Sequence, residues 1–369
     1  MSTKIKKRRL LLKFIELLVC ILLFFFLFEL ILILVGYDKP QGAIKGLVRR
    51  DEITDFSLKP NFSYLAKEPD FEVQVNLNSD GFRDYEHNLN TKGYRIMAIG
   101  DSQTYGVGVE FNETFLYLLE SKLRQNYDVE IFKMGVFAYG TDNEFYTYKK
   151  FYSKYKPNMV ILIIHPNDVL DDAEWGEVFL NKKRGSLFMR FFEIHSFFRK
   201  TFKFYDFIYV KIQHLSIFNG LKGEVSFFDD YKSLFINKDT EKTKKGFDNL
   251  QLYLNKFEED AKKNNFRFVV VLASSIHQFD DINLLQDYAK SVNSTLNLTK
   301  VNYGVKNDLD KSTFFIDTYN VFYSDGNASN LFLPVDQHWN QKGHEVAADF
   351  IYEKLIKNNL ITIEKDGQK

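Results

Sequence analysis

Short apolar runs separated by helical patterns are the feature of this 369-residue chain that most constrains its fold. Runs without polar alternation are typical of strands buried on both faces, as in parallel sheets. Between the runs, apolar residues recur at helical spacing, notably over 143–155 and 242–263. This order predicts an α/β protein, a three-layer α/β/α sandwich with a five-stranded parallel sheet, whose ligands bind at the carboxyl ends of the strands. The runs are Ile96–Ile99, Val129–Phe132, Met159–Ile164, Phe266–Ala273 and Phe314–Ile316.

The composition is that of an ordinary globular protein, with 45% apolar and 27% charged residues. The formal net charge is zero, which gives no reason to expect a nucleic acid as a partner. Cys20 is the single cysteine, so the chain can form neither an internal disulfide nor a cysteine-ligated zinc site. The length predicts one large domain with additional segments.

An almost wholly apolar stretch from Leu17 to Val35, interrupted only by Glu29, precedes the predicted sheet. At about 1.5 Å per residue a helix of this stretch reaches about 30 Å, enough to cross a bilayer. Basic residues before it favour a cytoplasmic N-terminus and a single-pass anchor, with everything after Tyr37 extracytoplasmic. A cleaved signal peptide is the alternative, but the stretch is long for one and no small-x-small cleavage site follows. The basic residues are Lys4, Lys6, Lys7, Arg8, Arg9 and Lys13.

These features divide the chain into segments. We expect a basic N-terminus with the membrane anchor over 1–37, an irregular connector over 38–77, the α/β domain over 78–358 and a tail over 359–369. Residues 175–235 are rich in aromatic and basic side chains, and they predict one or two amphipathic helices inserted over the sheet. This insertion is either a structural cap or a lid that shapes an acyl or glycan pocket or rests on the membrane surface.

Polar residues that suit acyl chemistry follow the predicted strands. Ser102 stands at the bend after the first strand, and Asn167 follows the third. Near the C-terminus, Asp336 and His338 occupy a loop directly before a predicted helix, and an aspartate two residues before a histidine can support the imidazole as a general base. The amide of Asn167 is predicted to point into the same crevice as Ser102.

The order of these blocks resembles the SGNH hydrolases, also called the GDSL family of esterases and lipases, over residues 78–358. The resemblance implies a flavodoxin-like SGNH fold with Ser102 as nucleophile, His338 as base and Asp336 as its partner. It also implies an oxyanion hole formed by the N–H groups of Ser102 and Ala138 and the side chain of Asn167. The matching blocks are "NSDGFRD" (78–84), "GDS" (100–102), Asn167 in "HPND" and "DQHWNQKGH" (336–344), the last in the form of membrane-anchored members.

The second block departs from the family pattern, because Ala138 stands where the family has a glycine. An alanine N–H can serve equally well as a donor. If the loop requires a positive φ, alanine is strained there and the donor could shift to Gly140.

Four other histidines are predicted to have structural roles. His344 lies near Asp336 and His338, but the spacing is not that of a known zinc site, and a capping or packing role is expected. His165, His195 and His277 show no partner in the sequence. Ser274 and Ser275, after the fourth strand, are candidates for lining the crevice. No metal and no cofactor are expected.

The sequence thus predicts a membrane-anchored serine ester hydrolase that removes acyl groups, chiefly acetyl, from envelope glycan or lipid esters. An O-acetyltransferase is the close alternative, because it uses the same triad with a sugar hydroxyl in place of water. A third hypothesis is a non-catalytic glycan-binding protein with the same fold.

Overall fold

The structure, a computed structural model, describes residues 2–37, 44–90, 93–170, 198, 201–205, 207–208, 231–324 and 326–361. They belong to two compact units, one of Met1–Ala43 with Lys183–Gly223 and one of Ile44–Lys182 with Glu224–Lys369. Most of the predicted insertion over 175–235, including His195, lies outside the described residues, as do residues 362–369 of the tail.

The first unit contains the long helix α1 (Ser2–Leu34). Its segment Leu12–Leu34, 23 residues, is long and apolar enough to cross a membrane, which by length and composition also suits a signal sequence. Glu29, the one acidic residue of the predicted span, accepts the backbone N–H groups of Lys203 at 2.9 Å and Phe204 at 2.7 Å. Its carboxylate is therefore partnered inside this unit.

The second unit is built on a parallel sheet of five strands. Gly100 pairs with both Gly135 and Ile163, so the carboxyl ends of the three adjacent strands lie level. The predicted five-stranded parallel sheet is confirmed. In spatial order its strands are β6 (Val129–Gly135), β5 (Tyr94–Gly100), β7 (Met159–Ile164), β8 (Arg267–Leu272) and β9 (Phe314–Asp317).

Helices cover both faces of the sheet, which gives the predicted three layers. Along β5, Met97 and Ile99 join one apolar cluster, and Ile96 and Ala98 join the other. Full burial of a methionine or isoleucine side chain contributes about 1.5–3 kcal/mol. The helices are α2 (Ser102–Tyr105), α3 (Phe115–Leu123), α4 (Thr141–Tyr155), α5 (Glu241–Asn264), α6 (Ile282–Ser291), α7 (Lys300–Asp308), α8 (Tyr319–Ser324) and α9 (Gln341–Lys357).

The segment predicted as an irregular connector, 38–77, instead carries two β-hairpins, so that prediction is wrong for residues 48–76. Val73 and Val75 are buried in the core, whereas Glu72 and Gln74, which alternate with them, are exposed. This alternation is the pattern of a half-buried strand and was present in the sequence. The hairpins pair β1 (Val48–Arg50) with β2 (Phe56–Leu58) and β3 (Ser63–Glu68) with β4 (Phe71–Asn76).

Candidate active site

Ser102 lies at the carboxyl end of β5 and opens the one-turn helix α2. The buried Asp101 caps this turn, because its Oδ1 accepts the backbone N–H of Gln103 at 2.9 Å. Gly106, at φ +76°, ends the turn in the left-handed conformation. The next α-helix, α3, begins only at Phe115. Ser102 therefore sits in a tight turn of its own rather than at the start of a long helix.

Two glycines allow this turn to pack directly on the sheet. A Cβ at Gly100 would overlap the hydroxyl of Thr104 and lie 2.7 Å from the carbonyl oxygen of Ile163. A Cβ at Gly135 would overlap the backbone nitrogen of Tyr105. Any side chain at either position would push α2, and with it Ser102, away from the strand ends.

The imidazole of His338 bridges Ser102 and Asp336. Its Nε2 lies 2.7 Å from Ser102 Oγ, although the two residues are 236 positions apart in the sequence. Its Nδ1 contacts Asp336 Oδ1. With Nδ1–H donating to the carboxylate, Nε2 accepts the hydrogen of the serine hydroxyl. The three residues predicted for one site are thus in contact.

The surroundings of His338 favour its charged form. Burial lowers the pKa of His338, but the hydrogen bond and charge of Asp336, with the charges of Asp101 and Asp70, outweigh burial, so the pKa lies above the ordinary histidine value. A raised pKa makes the imidazole a stronger base, which then needs a higher pH to be neutral.

The loop that carries Asp336 and His338 is fixed from several sides. Gln337 between them adopts φ +73°, which costs about 1 kcal/mol for a residue other than glycine. Trp339 is fully buried and donates its indole N–H to the carbonyl of Ser274 at 3.0 Å. Asp70 in the β3–β4 turn accepts the backbone N–H of Asp336 at 3.0 Å. Asp70 was not predicted, because it lies in the segment taken as a connector.

The loop after β6 presents the N–H predicted for the oxyanion hole. Ala138 adopts φ +59°, so the loop does require the left-handed conformation. Within the described residues, neither Ser102 N–H nor Ala138 N–H has a hydrogen-bond partner. Gly140, the alternative donor, has φ −103° and its N–H points to Asn143 Oδ1 at 3.5 Å. The geometry favours Ala138 over Gly140 as the donor.

Asn167 lies in the turn Pro166–Leu170 that follows β7. Its Oδ1 contacts Nδ1 of His165, and its Nδ2 has no partner in the part of the chain that the structure describes. Burial lowers the pKa of His165, so the ring is neutral near neutral pH and donates its Nδ1 hydrogen to the amide oxygen. His165, predicted to be only structural, orients the amide of Asn167.

One cavity of about 390 Å³ is lined by the predicted catalytic and oxyanion-hole residues, Ser102, Ala138, Asn167, Asp336 and His338. His277, also predicted to be structural, lies in this cavity, and its Nδ1 contacts Asp281. A histidine and an aspartate four residues apart, directly after a predicted strand, were the sequence signal for this pair. Ser275 lines the cavity as proposed, whereas Ser274 is buried with its hydroxyl 2.8 Å from Thr318 Oγ1.

His344 lies in the core. Its Nδ1 accepts the backbone N–H of Phe115 at 3.2 Å, and its ring stacks on the Phe115 ring at 5.9 Å between centroids. Burial lowers the pKa of His344 to about 3, so the ring is neutral. Among the described residues, no group of three His, Cys, Asp or Glu side chains is arranged to hold a metal ion.

No protein-family model matches the chain, and no curated protein matches it. Solved structures do match. A lipolytic protein of the G-D-S-L family from Veillonella parvula is 13% identical with a TM-score of 0.39, and the match covers 72% of this chain and 99% of that one. The lipase/acylhydrolase from Enterococcus faecalis is 12% identical with a TM-score of 0.41, over 75% and 100% of the two chains. A psychrotrophic esterase from Pseudoalteromonas sp. is 14% identical with a TM-score of 0.38, over 72% and 98%.

The activity proposed for this chain rests on the geometry of its own side chains. The three matched proteins are named a lipolytic protein of the G-D-S-L family, a lipase/acylhydrolase and an esterase.

Proposed function

We propose that this chain is a serine ester hydrolase of the SGNH type that acts through an acyl-enzyme. The observation that carries the proposal is the 2.7 Å separation of His338 Nε2 and Ser102 Oγ, with Asp336 on the other ring nitrogen. A serine hydroxyl is a weak nucleophile until a neighbouring base takes its proton. This arrangement supplies both the base and the group that holds it.

In the proposed reaction, Ser102 Oγ attacks the ester carbonyl carbon while His338 Nε2 takes the hydroxyl proton. Asp336 stabilises the imidazolium that forms. The N–H groups of Ser102 and Ala138 and the amide of Asn167 donate to the oxyanion, and a single such donor is worth about 3–4 kcal/mol of barrier. His338 then protonates the departing alcohol oxygen. In the second step, His338 takes a proton from water while the water oxygen attacks the acyl carbon. His338 then returns the proton to Ser102 Oγ as the carboxylic acid leaves.

The proposed substrates are acyl esters of an envelope glycan or a lipid. A membrane anchor would hold the enzyme close to both. The apolar segment Leu12–Leu34 and the basic residues before it support a single-pass topology with the N-terminus in the cytoplasm. Fusion of a periplasm-dependent reporter to the C-terminus tests this topology. If a reporter that works only in the cytoplasm is active at the C-terminus and the periplasm-dependent reporter is not, this topology is wrong.

Covalent labelling tests the catalytic proposal. The full chain in detergent micelles is treated with a fluorophosphonate probe at a pH where the imidazole is neutral, beside Ser102→Ala and Ser275→Ala. Ser275 is the matched control, because it lines the same cavity but bonds Tyr231 rather than His338. Labelling should be lost only in Ser102→Ala. An unlabelled parent protein would instead support a non-catalytic glycan-binding role.

Hydrolysis and O-acetyl transfer share this acyl-enzyme and differ in the acceptor. Acetyl release from an activated ester separates them. A transferase gives a burst followed by slow release that added glycan accelerates, whereas a hydrolase gives steady release that glycan leaves unchanged.

A further inference from the structure

The active-site cavity contains a second histidine–aspartate pair. His277 Nδ1 contacts Asp281 Oδ2, just as His338 Nδ1 contacts Asp336 Oδ1. The two imidazoles are equally accessible, with side chains 25% exposed for His277 and 26% for His338. The proposed reaction does not use this pair, because His338 serves as base and then as acid in both steps. His277 is therefore available for another role.

The partner of His277 fixes which hydrogen bond its ring can make. The hydrogen bond from His277 holds the pKa of Asp281 below its ordinary value, so this carboxylate is anionic at neutral pH. It accepts the Nδ1 hydrogen, so Nε2 is the ring nitrogen left to bond a ligand. Among the described residues no group bonds His277 Nε2. The ring thus offers the cavity one hydrogen-bonding nitrogen.

The neighbours of His277 make this part of the cavity polar. The ring of Tyr231 packs edge-on against His277 with 4.9 Å between centroids. The hydroxyl of Tyr231 lies 3.0 Å from Ser275 Oγ, and both residues line the cavity with His277. A long hydrocarbon chain in this place would bury His277 Nε2 without a partner, at a cost of about 1–3 kcal/mol, and would leave Tyr231 and Ser275 only their bond to each other. A substrate with several hydroxyl groups would offer a partner to all three.

We propose that His277, held by Asp281, binds a free hydroxyl group of a carbohydrate ester whose acyl group is presented to Ser102. This inference rests on the proposed ester hydrolysis and names its substrate class, acylated sugars with free hydroxyl groups rather than long-chain lipid esters. Tyr231 and Ser275 provide a second hydroxyl-binding point beside His277. His277 is a specificity residue and takes no part in proton transfer to or from Ser102.

Paired substrates test the proposal on the full chain in detergent micelles. One is a mono-O-acetylated hexose with free hydroxyls, and the other is p-nitrophenyl acetate, which has none. In His277→Phe, which keeps an aromatic ring against Tyr231, kcat/KM for the sugar ester should fall about tenfold, mostly through KM. Activity on p-nitrophenyl acetate should stay within about twofold. Asp281→Asn should act in the same direction.

Asp287→Asn is the matched control for Asp281→Asn. Both aspartates belong to α6 or its cap, but Asp287 is 78% exposed and paired with Lys290 at the surface. It should leave both substrates unaffected. Equal losses on the two substrates in His277→Phe, or no loss on either, would overturn the carbohydrate subsite.

A binding measurement separates failure of the subsite from failure of the proposed chemistry. Calorimetric binding of the acetylated hexose is compared in Ser102→Ala and in the double variant with His277→Phe, neither of which turns it over. Weaker binding in the double variant supports the subsite, even if the parent is not labelled by fluorophosphonate. If the parent is labelled normally and the affinity for the acetylated hexose is the same with and without His277→Phe, the hydrolase proposal stands and the subsite is rejected.

Discussion

The carboxylate of Asp70 holds the backbone of Asp336 across 266 positions of sequence. Its Oδ2 accepts the N–H of Asp336 at 3.0 Å and that of the preceding Val335 at 2.8 Å. Asp70 lies in the tight turn between β3 and β4, so a hairpin outside the main sheet fixes the loop that positions His338. The charge of Asp70 also contributes to the raised pKa of His338.

Replacement of Asp70 should separate these two effects. Asp70→Ala removes both hydrogen bonds and should lower kcat/KM about tenfold, because small displacements of a catalytic group are costly. Asp70→Asn keeps an accepting oxygen but removes the charge, so the pKa of His338 should fall. Since His338 acts in its neutral form, the acidic limb of the kcat/KM profile should then move to lower pH.

The pH–rate profile of Glu72→Gln is the control for this prediction. Glu72 lies on the same hairpin, but it is 51% exposed and paired with Lys67. Its replacement should leave the profile where it is. A profile of Asp70→Asn that moves to higher pH, or does not move, would contradict the assignment.

Asn167 and His165 should respond differently to substitution. Asn167→Ala removes one oxyanion donor and should lower kcat by about 100-fold with little change in KM. His165→Phe keeps the donor but releases the amide from its partner, so kcat should fall by a smaller factor, about tenfold. Steady-state kinetics on p-nitrophenyl acetate measures both. A larger kcat loss in His165→Phe than in Asn167→Ala would argue that His165 itself contacts the reacting atoms.

Local pattern was enough to predict the sheet. Each of the predicted runs became a strand, because a strand buried on both faces needs continuous apolar residues, as in Met159–Ile164. The loops that follow such strands were placed by the topology rule for parallel sheets. Ser102 and Asn167 could therefore be assigned to one edge from the strand pattern, whereas His338 was assigned to the same site by the resemblance of its sequence block to the family.

Residues that act through long-range contacts could not be found in this way. Asp70 has no local motif, and its importance comes from a loop 266 positions away. The conformation of Ala138 depends on the packing of the β6 loop, which a sequence does not specify. His165 and His277 are a different case, because their partners Asn167 and Asp281 lie only two and four positions away, so the sequence did contain these pairs.

Ala138→Gly should stabilise the protein slightly without loss of activity. A left-handed conformation costs a non-glycine residue about 1–2 kcal/mol, of which the extra freedom of glycine in the unfolded chain offsets about 0.4–1 kcal/mol. The net gain in the free energy of unfolding should be about 0–1.6 kcal/mol, with the N–H donor kept. Thermal unfolding and kcat on an acetate ester check this.

Gly140→Ala is the companion variant, because Gly140 has φ −103°, which alanine adopts readily. It should retain activity. Destabilisation by Ala138→Gly would show that the loop is held by contacts of the alanine methyl rather than strained by its φ.

Two buried histidines should give the stability of the protein opposite dependences on pH. His87 contacts Asp84 at 2.7 Å and Glu130 at 3.0 Å, one through each ring nitrogen. Burial lowers its pKa, but these carboxylates outweigh burial, so its pKa is raised. Its contribution is complete below the unfolded value of 6.5 and is lost as pH rises through the folded pKa.

His344 acts in the other direction, because burial lowers its pKa to about 3. Below pH 6.5 the unfolded chain binds a proton that the folded chain does not bind, which removes about 1.4 kcal/mol of stability per pH unit.

Urea unfolding at about pH 5.5 and about pH 8.5 measures both contributions. Relative to the parent, His87→Gln should lose more stability at the lower pH, because the bonds made by the charged ring are complete there. His344→Gln should lose less at the lower pH, because the parent is itself destabilised by its uncharged ring. The same pH dependence in both variants would contradict the charge states assigned to these two rings.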